Sequence, residues 1–70
     1  MNTNDKLITY WTERMYHSMH ILRDAKWHLT LPGNTPHQIA QYEEDLVYCK
    51  ADVLECMANI RRLRDEATTA

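Results

Sequence analysis

Apolar residues recur every three or four positions along two long segments of this 70-residue chain. The first segment runs from about residue 4 to residue 30, and the second from about residue 36 to residue 66. This alternating spacing is typical of helices that pack side by side with interlocking side chains. The predicted contact seam consists of Ile8, Trp11, Met15, Ser18, Leu22, Ala25 and Leu29 in the first helix, and of Ile39, Tyr42, Leu46, Cys49, Val53, Cys56, Ile60 and Leu63 in the second.

The only glycine of the chain and both of its prolines fall between these two helices. Gly33 follows Pro32, a pair that is typical of turns. Thr35, Pro36 and Gln38 fit the N-cap, the first helical position and the third position of a capping box. We therefore predict a turn over residues 31–35 and an all-α fold, an antiparallel helical hairpin that forms a single domain over residues 1–70.

A short turn also fixes which residues of the two helices lie level. Residues whose numbers sum to 67 or 68 should meet, so Trp11 is expected opposite Cys56, and Tyr42 opposite Ala25. Two large rings then face two small side chains, as dense packing requires.

The second helix carries another stripe with the same alternating spacing, on a face away from the seam. Against an antiparallel second copy, this stripe sets Ala51 opposite Leu54 and Glu44 opposite Arg61, the self-matching that a two-fold interface needs. A lone hairpin of this size has little core. We therefore predict a homodimeric four-helix bundle, with a surface helix bearing scattered apolar residues as the alternative. The stripe consists of Ala40, Glu44, Val47, Ala51, Leu54, Ala58, Arg61 and Asp65.

The outer face of the first helix is rich in aromatic and imidazole rings. Tyr, Trp and Arg are the residue types enriched at the energetic centres of protein interfaces, which indicates a docking face. The alternative is that Trp27 covers the turn and Tyr16 packs on the second helix, both as extensions of the core. The candidate partner-binding residues are Tyr10, Tyr16, His17, His20, Arg23 and Trp27.

The same face raises the question of a metal site, because Glu13, His17, His20 and Asp24 share it. Imidazoles and carboxylates on one helical face are able to ligate zinc. Metal sites of helical bundles, however, point into the core, where neighbouring groups orient the ligands, whereas these residues point outward. We therefore predict no metal and no cofactor. With one glycine, no phosphate-binding loop and no evident cleft, we also predict no enzymatic activity.

The charges of the chain nearly balance, with 8 Lys and Arg against 10 Asp and Glu, a formal net charge of −2. Such a balance does not favour a nucleic-acid or membrane partner. No apolar run approaches the roughly 20 residues of a membrane-spanning helix, and the polar first residues do not resemble a signal peptide. Cys49 and Cys56 are too few for a disulfide framework and fit free thiols. We expect a cytoplasmic protein.

These patterns favour a small non-enzymatic interaction protein, a dimer that binds a larger protein as a regulator or inhibitor, of the kind that phages and other mobile elements carry. One alternative is an RNA-binding hairpin dimer, with Arg23, Lys26 and the aromatic residues of the first helix on the RNA. Another is a metal-binding bundle. The predicted architecture is similar in shape to small dimeric helical-hairpin regulators such as the plasmid RNA-binding Rop protein, a likeness of architecture and not of motifs.

Overall fold

The chain forms two long α-helices joined by a tight turn. The computed structural model describes residues 3–69, in which α1 covers Thr3–Thr30 and α2 covers Pro36–Thr69. The helices lie side by side, and the hairpin measures 54 × 17 × 14 Å. Its long dimension is close to the length of about 51 Å that 34 helical residues span. Helix α2 continues to Thr69 instead of ending near residue 66. Within the described residues, neither helix has an apolar stretch able to cross a membrane.

Three local features hold the turn. Gly33 has a φ of +87°, a conformation that side-chain-bearing residues rarely adopt. The predicted capping box is present, because the Gln38 N–H donates to Thr35 Oγ1 (3.1 Å) and the Thr35 N–H donates to Gln38 Oε1 (2.9 Å). At the end of α1, Asn34 Nδ2 donates to the His28 carbonyl (2.7 Å). The turn residues therefore satisfy polar backbone groups that both helix ends leave open.

The seam residues are the ones that the structure shields. Ser18 is buried, and most of the remaining seam residues are half-buried. The exception among the described residues is Ile39, which stays 37% exposed because it lies at the turn, where no further layer covers it. The buried apolar side chains of the described chain all belong to the predicted seam: Ala25, Cys49, Cys56, Ile60 and Leu63.

The hairpin encloses little apolar volume. Cys56 is the largest side chain with an exposed fraction below 2%, whereas Val47, Leu54 and Trp27 are each at least 60% exposed. Both cysteines are free, and burial raises the pKa of the Cys49 and Cys56 thiols, which disfavours the thiolate. The apolar contribution to folding in one hairpin is therefore small for its length.

A polar cluster beside the seam links the helices and was not predicted. The buried Asp52 carboxylate pairs with the Arg14 guanidinium, whose Nε donates to Oδ1 at 3.1 Å, and Ser18 Oγ donates to Oδ2 at 2.6 Å. Residue numbers in these two contacts sum to 66 and 70, on either side of the predicted register. The Arg14 hydrogen bond first, and the Ser18 hydrogen bond second, lower the pKa of Asp52 below its usual range.

We expect Asp52→Asn to lower the free energy of unfolding at pH 7 by about 1.5–3 kcal/mol, the range for hydrogen bonds to a charged group. The lowered pKa means that the stabilising contribution of Asp52 is complete above the ordinary carboxyl pKa and is lost as the pH falls through the folded-state value. The stabilities of wild type and variant should therefore converge in acid. Urea unfolding followed by circular dichroism, from pH 7 to pH 3, measures this.

Asp45→Asn is the matched control, since Asp45 is half-buried on the same helix and accepts a hydrogen bond from Gln41 of its own helix. It should change stability less than Asp52→Asn at pH 7. A constant difference between wild type and Asp52→Asn at every pH would contradict the role given to this carboxylate.

Candidate functional site

The predicted docking face of α1 is exposed, and it divides between two sides of the hairpin. Tyr16, His20 and Arg23 line one cleft together with Met19. His17 lines a different groove, on the side that holds the Arg14–Asp52 pair. The structure therefore brings Tyr16, His20 and Arg23 together and separates His17 from them.

Polar contacts along α1 tie several of these side chains to one another. The Arg23 Nη2 and His20 Nδ1 atoms lie 3.4 Å apart, and His20 Nε2 lies 3.2 Å from an Asp24 carboxylate oxygen. The His20–Asp24 contact is an ion pair only when the imidazole is protonated. These contacts are at the surface, where such pairs contribute roughly 0–1 kcal/mol each.

The aromatic residues of this face touch the edge of the core but remain largely open to solvent. Trp27 meets His28 edge-on, with ring centroids 5.2 Å apart, and His28 stacks on Tyr42 at 5.0 Å with an interplanar angle of 6°. Tyr10 meets Trp11 edge-on at 5.1 Å. Even so, Tyr10 is 52% exposed and Trp27 60% exposed. Tyr10 and Trp27 therefore each contact the next residue in the chain edge-on and leave more than half of the side chain available.

The predicted dimer stripe of α2 lies on the side of that helix away from the seam. Val47 is 74% exposed and Leu54 60% exposed. Two further large side chains, Tyr48 and Met57, flank the stripe at 70% and 53% exposure and widen the apolar surface beyond the sequence prediction. The other predicted interface residues are also exposed: Glu44, Ala51, Ala58 and Arg61.

A groove between the helices, away from the turn, was not predicted from the sequence. It has a volume of about 410 Å³ and a floor that includes Met15, Met57 and Ile60. Arg61 and Arg64 lie along its α2 side, with Asp65. The separate helical patterns place these residues on different helices, so only the packing of the hairpin shows that they share one groove.

The candidate metal ligands do not converge. Across residues 3–69, no three His, Cys, Asp or Glu side chains come together in an arrangement able to hold a metal ion. Of the four residues considered, His20 and Asp24 are in contact with each other. The geometry therefore gives no support to the metal-binding alternative.

Comparison with known proteins gives no relative. No family model, no curated protein and no solved structure matches this chain significantly.

We expect added zinc or nickel to leave the melting temperature unchanged. A metal that binds only the folded state raises this temperature, but tight binding needs more ligands than the His20–Asp24 pair provides. Thermal unfolding with and without metal and chelator measures the effect. A chelator-reversible rise that disappears in His17→Ala would show that the α1 face closes around a metal after all.

Proposed function

We propose that this chain is a non-enzymatic protein-interaction module: a helical hairpin that pairs with a second copy and binds a larger protein as a regulator or inhibitor. The observation that carries the proposal is the distribution of apolar surface. The hairpin buries mostly small side chains, while Val47, Leu54, Tyr16 and Trp27 are each 60–74% exposed. Large exposed apolar surfaces on a small protein are typical of interaction sites.

The α2 stripe is suited to a second copy of the same chain. In an antiparallel pair whose residue numbers sum to 105, Ala51 meets Leu54 of the other copy and Val47 meets Ala58. The small side chains allow the two α2 helices to approach closely, and the larger ones fill the space beside them. Covering this stripe adds the apolar burial that one hairpin lacks.

Charges at the ends of the stripe favour the antiparallel orientation. The same pairing brings Glu44 opposite Arg61 and Glu43 opposite Arg62, whereas a parallel pair would bring like charges together. Each exposed pair contributes only about 0–1 kcal/mol. Their effect is on the choice of orientation, and the affinity comes from the apolar centre. We propose a homodimeric four-helix bundle with the α2 helices in the middle.

The aromatic residues of α1 remain outside this bundle and are available to a partner protein. Tyr and Trp supply large contact areas with few rotatable bonds, so they lose little entropy on binding. Exposed Tyr10, Tyr16 and Trp27 fit this role. The proposal places the protein in the cytoplasm, which agrees with its free cysteine thiols.

We expect Ala51→Glu to convert the dimer to monomer, because it sets two carboxylates near the two-fold axis in an apolar interface. Light scattering at micromolar concentration measures the mass, and circular dichroism reports any accompanying loss of helix. Ala67→Glu is the control, since Ala67 is exposed on α2 but outside the stripe. A wild-type mass equal to one chain would contradict the dimer.

We expect Trp27→Ala or Tyr10→Ala to weaken a protein complex by about 1–3 kcal/mol, the effect of moderate interface hot spots. The fold should survive, because both side chains are more than half exposed. A binding titration against host protein fractions and total RNA at two salt concentrations measures this, with Tyr48→Ala as the exposed aromatic control.

The salt dependence of the binding affinity distinguishes this function from the RNA-binding alternative. Docking through desolvated rings depends modestly on salt, whereas phosphate contacts release counterions and weaken steeply as salt rises. RNA binding that collapses between low and moderate salt, with no protein retained, would replace the proposed function by RNA binding.

A further inference from the structure

We propose that the groove between α1 and α2 binds an acidic amphipathic helix of the partner protein. This inference rests on the proposed function and gives the partner segment a chemistry: an apolar stripe bordered by Asp or Glu. It also extends the partner-binding surface from the outer face of α1 into the groove of Met15, Met57, Ile60, Arg61 and Arg64. Tyr16 lies on its edge and joins the groove to the adjoining cleft of His20 and Arg23.

The floor of the groove fits an apolar helix face. Met57 is 53% exposed, Tyr16 is 61% exposed, and Met19 in the adjoining cleft is 44% exposed. Methionine is flexible and polarisable, and it is common on surfaces that accept apolar helix faces. From Met57 to Asp65 the groove follows α2 for about 12 Å, which matches roughly two turns of a bound helix. Two turns present apolar side chains at i, i+3 or i+4, and i+7.

The charges of the groove select an acidic helix. Arg61 and Arg64 supply two guanidinium groups to the groove, against one carboxylate, Asp65, and Arg61 is shared with the proposed dimer contact to Glu44. Arginine binds carboxylates through paired hydrogen bonds, so acidic residues beside the apolar stripe of a partner would find donors in this position. Arg23, whose Nε atom lies 4.0 Å from an Asp24 carboxylate oxygen, lines the adjoining cleft.

The groove on the opposite side of the hairpin has a different character. It is lined by Asp45 and Asp52 with Arg14, and that arginine is already bound to Asp52. Its exposed aromatic residue is Tyr48, without methionine beside it. The two sides of the hairpin therefore differ in charge, which gives an acidic amphipathic helix one preferred side.

RNA fits this groove less well than a helix does. Recognition of nucleic acid depends on several phosphate contacts along a basic surface. This groove instead combines two arginines with an apolar floor of Met15, Met57 and Ile60. A ligand that buries an apolar side chain against this floor gains binding free energy, because both apolar surfaces are removed from water.

The test selects binders from a displayed library of helical peptides about 18 residues long, five turns of helix. Each peptide carries Leu at i, i+3, i+4 and i+7, and its flanking positions are randomised between Glu and Lys. We expect the full-length protein to enrich Glu-rich peptides. Met57→Glu and Arg64→Glu should each weaken their binding at least about tenfold, as loss of an interface hot spot does. Arg64 is preferred to Arg61 because Arg61 also belongs to the proposed dimer stripe.

Matched controls lie outside the groove. Tyr48→Glu on α2 and Lys6→Glu on α1 introduce the same kinds of change at exposed positions and should leave peptide binding unchanged. Circular dichroism and thermal unfolding establish that each variant is folded. If Met57→Glu does not fold, Arg64→Glu, which changes an exposed residue, still tests whether the groove binds the peptide.

Several results would overturn the inference. Enrichment of Lys-rich peptides, or of none, would exclude an acidic helix. Conversion of the dimer to monomer by Arg64→Glu, a change outside the α2 stripe, would assign the groove to a second copy of the chain. RNA binding abolished by Arg64→Glu and steeply dependent on salt would assign it to nucleic acid. A protein complex that Trp27→Ala weakens and Met57→Glu does not would keep the proposed function and reject the groove.

Discussion

Two helices in contact share a single seam, and this limit governs the rest of the structure. A side chain on the seam is covered by one neighbouring helix only. Most large seam residues, such as Trp11 and Met15, are therefore half-buried, whereas the small Ala25 and Cys56 are enclosed. The apolar surface that the seam does not cover is extensive and includes Val47 and Leu54. Because apolar burial provides most of the favourable free energy of folding, a hairpin of this kind gains stability when another surface covers it.

The Arg14–Asp52–Ser18 cluster gives the seam a property that apolar packing does not supply. Apolar side chains accept many neighbours at similar cost, whereas a buried carboxylate is stable only where its donors reach it. Asp52 accepts hydrogen bonds from Arg14 and Ser18, which lie on successive turns of α1. Sliding one helix along the other would leave the buried carboxylate without these donors. The cluster therefore selects one register of the helices as well as contributing hydrogen bonds.

The surfaces that the fold leaves open differ in chemistry, and this difference connects the architecture to the proposed function. The α2 stripe is apolar at its centre and matches itself under a two-fold rotation, which suits a second copy. The groove beside Met57 and Arg64 is apolar and positively charged, which suits a different and acidic partner. In the proposed function, one of these surfaces binds a second copy of the chain and the other binds a different protein.

The sequence alone determined the helical hairpin, because that architecture follows from local rules. Spacing identified the seam, and Gly33 with the Thr35–Gln38 capping box placed the turn. The exposed aromatic residues of α1 were also identified from spacing, although their division between two sides of the hairpin was not. Only the tertiary structure showed the burial of Asp52 and the groove under Arg64. Both depend on which residues of one helix lie beside which residues of the other. The spacing of apolar residues within one helix does not specify the residues of the second helix that pack against it.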